Sequence, residues 1–152
     1  MIQQLKKLAV LYLACLVAST LALTAVYCLP VRPIQEHVRV SVDAFLEEGD
    51  NPFVLPGYKG SSLDNTTDAI MLGNALYQSE LPAYQAAMEA GRAELDNEHT
   101  QLALKKYLDQ DQGLTLTSYE RYWHGYLVVL KPLLLVFNYG QIRILNGIVM
   151  AI

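Results

Sequence analysis

Neither end of this 152-residue chain carries an acidic residue: all 15 Asp and Glu lie between Glu36 and Glu120. Charge of either sign is scarce, at 17% of residues, while 53% are hydrophobic. That balance is too apolar for a disordered chain and too poor in charge for an ordinary soluble surface. A basic excess is lacking as well. With 11 Lys and Arg against 15 acids, nothing is left over to neutralise a run of phosphates, so nucleic acid is excluded as a partner. Cysteine occurs only at Cys15 and Cys28, which excludes a disulfide-stapled secreted scaffold. The sequence has no internal repeat, no low-complexity tract and no self-contained second domain.

What is present is a long uncharged run near the start. Leu8 to Leu29, LAVLYLACLVASTLALTAVYCL, is 22 residues without a charge, enough as a helix to cross a hydrocarbon core of roughly 30 Å. Lys6 and Lys7 precede it, so residues 1–7 are expected in the cytoplasm and residues 8–29 across the membrane, with Pro30 and Pro33 stopping the helix at the far interface. A cleaved signal peptide, with Thr20 and Ala22 at the small-residue positions, is the competing reading, but apolar residues continue past that point. A lipoprotein site at Cys15 fits less well, because Tyr12 stands where an aliphatic residue belongs. Cys15 and Cys28 are separated by about 20 Å of helical rise and cannot pair.

Residues 30–118 then form an acidic outer segment. Seven basic residues stand against the 15 acids between Val31 and His124, a net of −8. Ile34, Val38, Val42, Phe45 and Leu46 make one helical stripe ended by Gly49; the alternation VRVSV leaves a strand as the minor alternative. NPFVLPGYKGSS, residues 51–62, reads as a loop. Further helices are expected from near Asn65, through PAYQAAMEAGRAEL after Leu81, and over about Thr100 to Leu108, with Leu102, Leu104 and Leu108 among the apolar positions.

Asp64 and Asp68 fall four apart at a helix start. Two readings of the pair are open. In one, Asn65 is the N-cap and Asp68 reaches back from the third position, both acids being favoured by the helix dipole. In the other, the carboxylates act as a general base or hold a divalent cation at the membrane surface. Asn65-Thr66-Thr67 also matches a glycosylation sequon, a tripeptide common by chance.

Thr117 and Glu120 form a capping box for YERYWHGYLVVLKPLLLVF, a helix expected over residues 119–137. Tyr119, Tyr122, Trp123 and Tyr126 line one stripe, as suits anchors at a membrane interface. On another face, Glu120, Arg121, His124 and Lys131 form a polar line. It reads either as a solvated side, with His124 paired to Glu120, or as Arg121, His124 and Lys131 gathered for a lipid headgroup or substrate phosphate. His37 and His99 receive no role. Residues 138–152 read as the start of a second membrane span that is too short to finish one, so the chain is expected to be the N-terminal piece of a longer multi-pass protein, with its partners including the missing C-terminal transmembrane segments.

The fold expected is thus mainly α, with an N-terminal transmembrane helix, a helical extracytoplasmic loop, an interfacial aromatic helix and the start of a second transmembrane helix. The segments LDNTTDAIML and YERYWHGYLVVLKPLLLVFNY are similar to those of an uncharacterised group of polytopic membrane proteins from Gram-positive bacteria. The architecture also resembles the N-terminal part of GT-C type glycosyltransferases. That resemblance implies a cell-membrane enzyme that takes a sugar from a polyprenyl-phosphate donor on the outer face. It also implies that an outer-loop acid, here Asp64 or Asp68, acts as base or metal ligand. The adjacent acids that many members carry are absent from this loop. The alternatives are a non-catalytic anchored interaction or assembly protein, and the N-terminal part of a transporter or flippase.

Overall fold

The computed structural model describes residues 2–89, 91–94, 99–109, 115–117 and 124–151, with the side chains of 92–94 and 115–117 left aside. It is mainly helical. Among the described residues seven α-helices run in chain order: α1 (Ile2–Tyr27), α2 (Val31–Glu48), α3 (Asn65–Leu76), α4 (Ala83–Glu89), α5 (Thr100–Leu108), α6 (Leu127–Leu134) and α7 (Tyr139–Met150). Two three-residue strands, β1 (Arg92–Glu94) and β2 (Thr115–Thr117), pair antiparallel with Ala93 opposite Leu116.

Among the described residues α1 is the one helix long and apolar enough to cross a membrane. Membrane anchors and signal sequences share that property, and so do core helices of soluble proteins. A core helix is mostly buried, however, and only 11% of the apolar stretch of α1 is. Burial begins near its C-terminal end, where Leu23 and Val26 enter the core against α4 and α6. Cys15 and Cys28 are free.

The prolines do not end α1. Its helix stops at Tyr27, and Pro30 is the N-cap residue of α2, with Pro33 in the first turn of that helix. A proline there costs nothing, because the first-turn amides have no partner within the helix. Ile34, Val38, Val42 and Phe45 are buried as their spacing requires, whereas Leu46 stays 39% exposed. The alternation VRVSV is helical. Gly49 closes α2 at φ 80°, its amide donating to the Phe45 carbonyl at 3.0 Å.

Residues 51–62 form the expected loop, which folds on itself through a single bridge between Phe53 and Ser62 and a 3-10 turn at Lys59–Ser61. The helix expected through PAYQAAMEAGRAEL is shorter than its pattern. It ends at Glu89, and at Gly91 the backbone runs so close to the Tyr77 ring that a Cβ there would stand 1.9 Å from a ring carbon.

Residues 118–123 lie outside those described, so the start of the helix expected over 119–137 is not seen; its helical part is α6. After α6 the chain turns, and Asn138 opens α7 with a capping box closed by Gln141. NYGQIR is therefore a helix start, since Asn138 and Gln141 satisfy each other's backbone. Ile142 of α7 is buried, while Ile144, Ile148, Val149 and Met150 are exposed. The core is one cluster. Leu23 and Val26 of α1 meet the α2 stripe, Ala69, Leu72, Ala75 and Leu76 of α3, Leu104 and Leu108 of α5, and Leu127, Leu130 and Leu134 of α6.

Candidate functional site

Asp64 and Asp68 sit on the same turn of chain but have separate partners. Asp64 is the N-cap of α3. One of its oxygens accepts from the Thr67 amide at 2.9 Å and the other from the Thr67 hydroxyl at 2.6 Å. These donors, the Thr67 hydroxyl foremost and its amide next, hold the exposed carboxyl below the usual carboxylate range. The cap therefore lies one residue earlier than the reading that gave it to Asn65. Asn and Asp cap equally well, and the choice is made by what Asn65 does instead. Its side chain is buried, donating to the Gly49 carbonyl at 2.6 Å and to the Glu48 carboxylate at 3.1 Å. In this fold the sequon asparagine is enclosed and bonded.

Asp68 points to α7. It accepts from the Tyr139 hydroxyl at 2.7 Å and from the Arg143 guanidinium at 2.6 Å, and it is 19% exposed. Arg143 gathers the ends of three helices. Besides Asp68 it donates to Asn65 Oδ1 and to Glu48 at 3.2 Å, with its guanidinium carbon 4.8 Å from the Phe45 ring centre and 5.1 Å from that of Tyr139. A planar, permanently charged fork suits this combination of several acceptors and aromatic faces. Among the described residues no group of three or more His, Cys, Asp or Glu is arranged to hold a metal ion.

The second polar cluster lies where α3 and α6 meet the C-terminal end of α1. Lys131 is fully buried, its ammonium 4.5 Å from the centre of the Tyr27 ring and without a hydrogen-bond partner among the described residues. Burial pulls its pKa down to about 8. Asn74 donates to the Tyr126 hydroxyl at 2.8 Å and lies 3.4 Å from Nδ1 of His124, which is itself buried. The Asn74 carbonyl oxygen is buried and has no hydrogen-bond partner among the described residues. Tyr27 packs edge-on against Tyr77, whose hydroxyl donates to Glu89 at 2.8 Å.

Of the polar line read either as a solvated side or as a row for a phosphate, His124 and Lys131 thus face inward, His124 against Asn74 of α3 and Lys131 of α6 against Tyr27 of α1. Arg121, with Glu120 beside it, falls outside the described residues, as do Tyr119, Tyr122 and Trp123. Tyr126, the remaining ring of the aromatic stripe, is half-buried on Asn74. Sequence reasoning missed Glu48, Asn74, Tyr139 and Arg143, all of which join segments distant in the chain. It also missed His37. That imidazole donates from Nδ1 to the Leu134 carbonyl at 2.8 Å, satisfying an acceptor that the end of α6 leaves open. Searches of protein-family models, curated proteins and solved structures give no match to this chain.

Proposed function

We propose that this chain is a membrane-anchored helical module, the N-terminal part of a multi-pass protein of the cell membrane, with its N-terminus in the cytoplasm and its acidic body outside. The carrying observation is the contrast along α1, which is apolar and exposed over most of its length yet joins the core at Leu23 and Val26. An anchor continuous with the core holds the body at a fixed height on the bilayer.

To test it, the full chain is expressed with Cys15 and Cys28 replaced by Ala and a single cysteine placed at Gln3 or Lys59. Retention in the membrane after alkaline carbonate, with an impermeant maleimide labelling position 59 and not position 3 in intact cells, is the expected result. Release by carbonate, or a mature N-terminus lying beyond Ala22, overturns the proposal.

An interaction or assembly role is favoured by the way Asp64 and Asp68 are spent on holding α3 and α7. The glycosyltransferase-like role draws its support from Lys131, a buried cation near the anchor without a hydrogen-bond partner among the described residues, of the type that a polyprenyl-phosphate leaving group would neutralise. In that role Asp68 or Asp64 is the base or the ligand of a divalent cation. The two roles separate on Asp64→Asn and Asp68→Asn in the full-length protein. A transferase loses incorporation of cell-envelope sugar at unchanged protein level in one of them. An assembly module loses protein level and incorporation together, or neither.

A further inference from the structure

The contrast along α1 has a geometric corollary for the helix packed beside it, which rests on the anchor reading above. The uncharged stretch runs to the end of α1 at Tyr27. Its residues begin to be covered by the body at about Thr20, with Leu23 and Val26 buried and Tyr27 half-buried. From Thr20 to Tyr27 the helix rises about 10 Å, close to a third of a hydrocarbon core of roughly 30 Å. If that stretch is embedded, whatever covers it lies within the same leaflet.

Two helices pack there, α6 and, more extensively, α4. The inner face of α4 is small, with Ala86 and Ala87 buried. The opposite face carries Tyr84 and Met88, which are 54% and 51% exposed, and Leu81, just ahead of the helix, adds a 42% exposed side chain beside them. With Gln85 and Glu89 they line an open groove of about 590 Å³. Glu89 brings the one charge in that lining, and it accepts from the Tyr77 hydroxyl, on the core side. A surface with two aliphatic side chains, one tyrosine and no cation suits the boundary between acyl chains and headgroups, where a phenol keeps its ring in hydrocarbon and its hydroxyl in water.

We infer that the Leu81, Tyr84 and Met88 face of α4 is seated in the bilayer leaflet at the C-terminal end of α1, its groove filled by a phospholipid acyl chain. The body is then held by two elements, a spanning helix and a short half-immersed one, and cannot swivel freely about α1.

The test uses the full chain in the cysteine-free background, with single cysteines at Tyr84, Met88, Val10 or Lys59 carrying an environment-sensitive fluorophore. The protein is reconstituted into phosphatidylcholine vesicles with or without bromine on the upper acyl carbons. All four positions are exposed, so the replacements leave the core intact. Brominated lipid is expected to cut emission at positions 84 and 88 by about half, to quench position 10 of α1 as well and to leave the loop position 59 unchanged. Quenching at 10 with positions 84 and 88 as bright as 59 overturns the inference while sparing the anchor. No quenching at 10 removes the anchor reading itself, and the inference with it.

Discussion

Arg143 bears on both the stability of the body and the interpretation of the candidate acids. One guanidinium serves Asp68, Asn65 and Glu48 and covers two aromatic faces. Replacing it by Ala leaves Asp68 and Asn65 short of a donor in a largely buried place, and is expected to cost about 1 to 3 kcal/mol in chemical denaturation of the full chain in micelles. Arg143→Lys restores little of that, since a point charge cannot bridge three acceptors and stack on Phe45. Lys131 is the opposite case. Its pKa lies near 8 in the folded chain, below its ordinary value, so folding disfavours the protonated form. The penalty is full below pH 8 and disappears as the pH rises towards about 10.5. Stability is therefore expected to climb over that interval. Lys131→Met flattens the climb and raises the midpoint at pH 7, unless a phosphate ligand supplies the missing partner. Residue identity alone showed that Asp64 and Asp68 stand at a helix start, because acids are selected there. It did not show which of them caps, or that Asp68 belongs to Arg143, 75 positions away. Local pattern carries no information on such a pair.

The helices with a single apolar stripe were legible in the sequence, and the non-local contacts were not. In α2, periodicity and Gly49 together set the buried face and the end, and α5 matches its expected span. Beyond α4 the Gly91 backbone packs against the ring of Tyr77, a residue of the connection before that helix, a contact that no local pattern announces. Gly91→Ala is expected to push the Tyr77 ring off Glu89 and to cost about 1 to 3 kcal/mol of overpacking. The measurement is a loss of midpoint that Tyr77→Leu largely relieves. α6 shows a different limit. YWHGYLVVLKPLLLVF reads as one amphipathic helix with a wet side, yet the short helix it yields has Leu127, Leu130, Lys131 and Leu134 all buried. α6 packs on α1, α2 and α3 and leaves Val129 and Pro132 on its exposed side, so a periodicity argument that gives the wet side to the charged residue misplaces its lysine.

At the scale of the whole molecule, most of the fully buried side chains among the described residues belong to α2, α3 and α6, and the slowest amide exchange in membrane-reconstituted protein is expected in residues 34–46, 69–76 and 127–134. Residues 51–62, a mostly exposed loop held by one bridge and a few turn hydrogen bonds, should exchange faster than any of these helices. Equal rates in the loop and α2 would contradict this division. The joints of this core are long in sequence. His37 reaches Leu134 across 97 positions and Ser41 reaches the Tyr139 amide across 98. On a ribosome that adds about 5 to 20 residues per second, some five to twenty seconds separate the emergence of α2 from that of α7. During that interval Ile34, Val38, Val42 and Phe45 are covered only in stages, as α3, α5 and α6 arrive. The hydrogen bond from Tyr139 to Ser41 thus places a timing demand on synthesis: the nascent stripe of α2 must be shielded, by lipid or by a chaperone, until its last helical neighbour arrives.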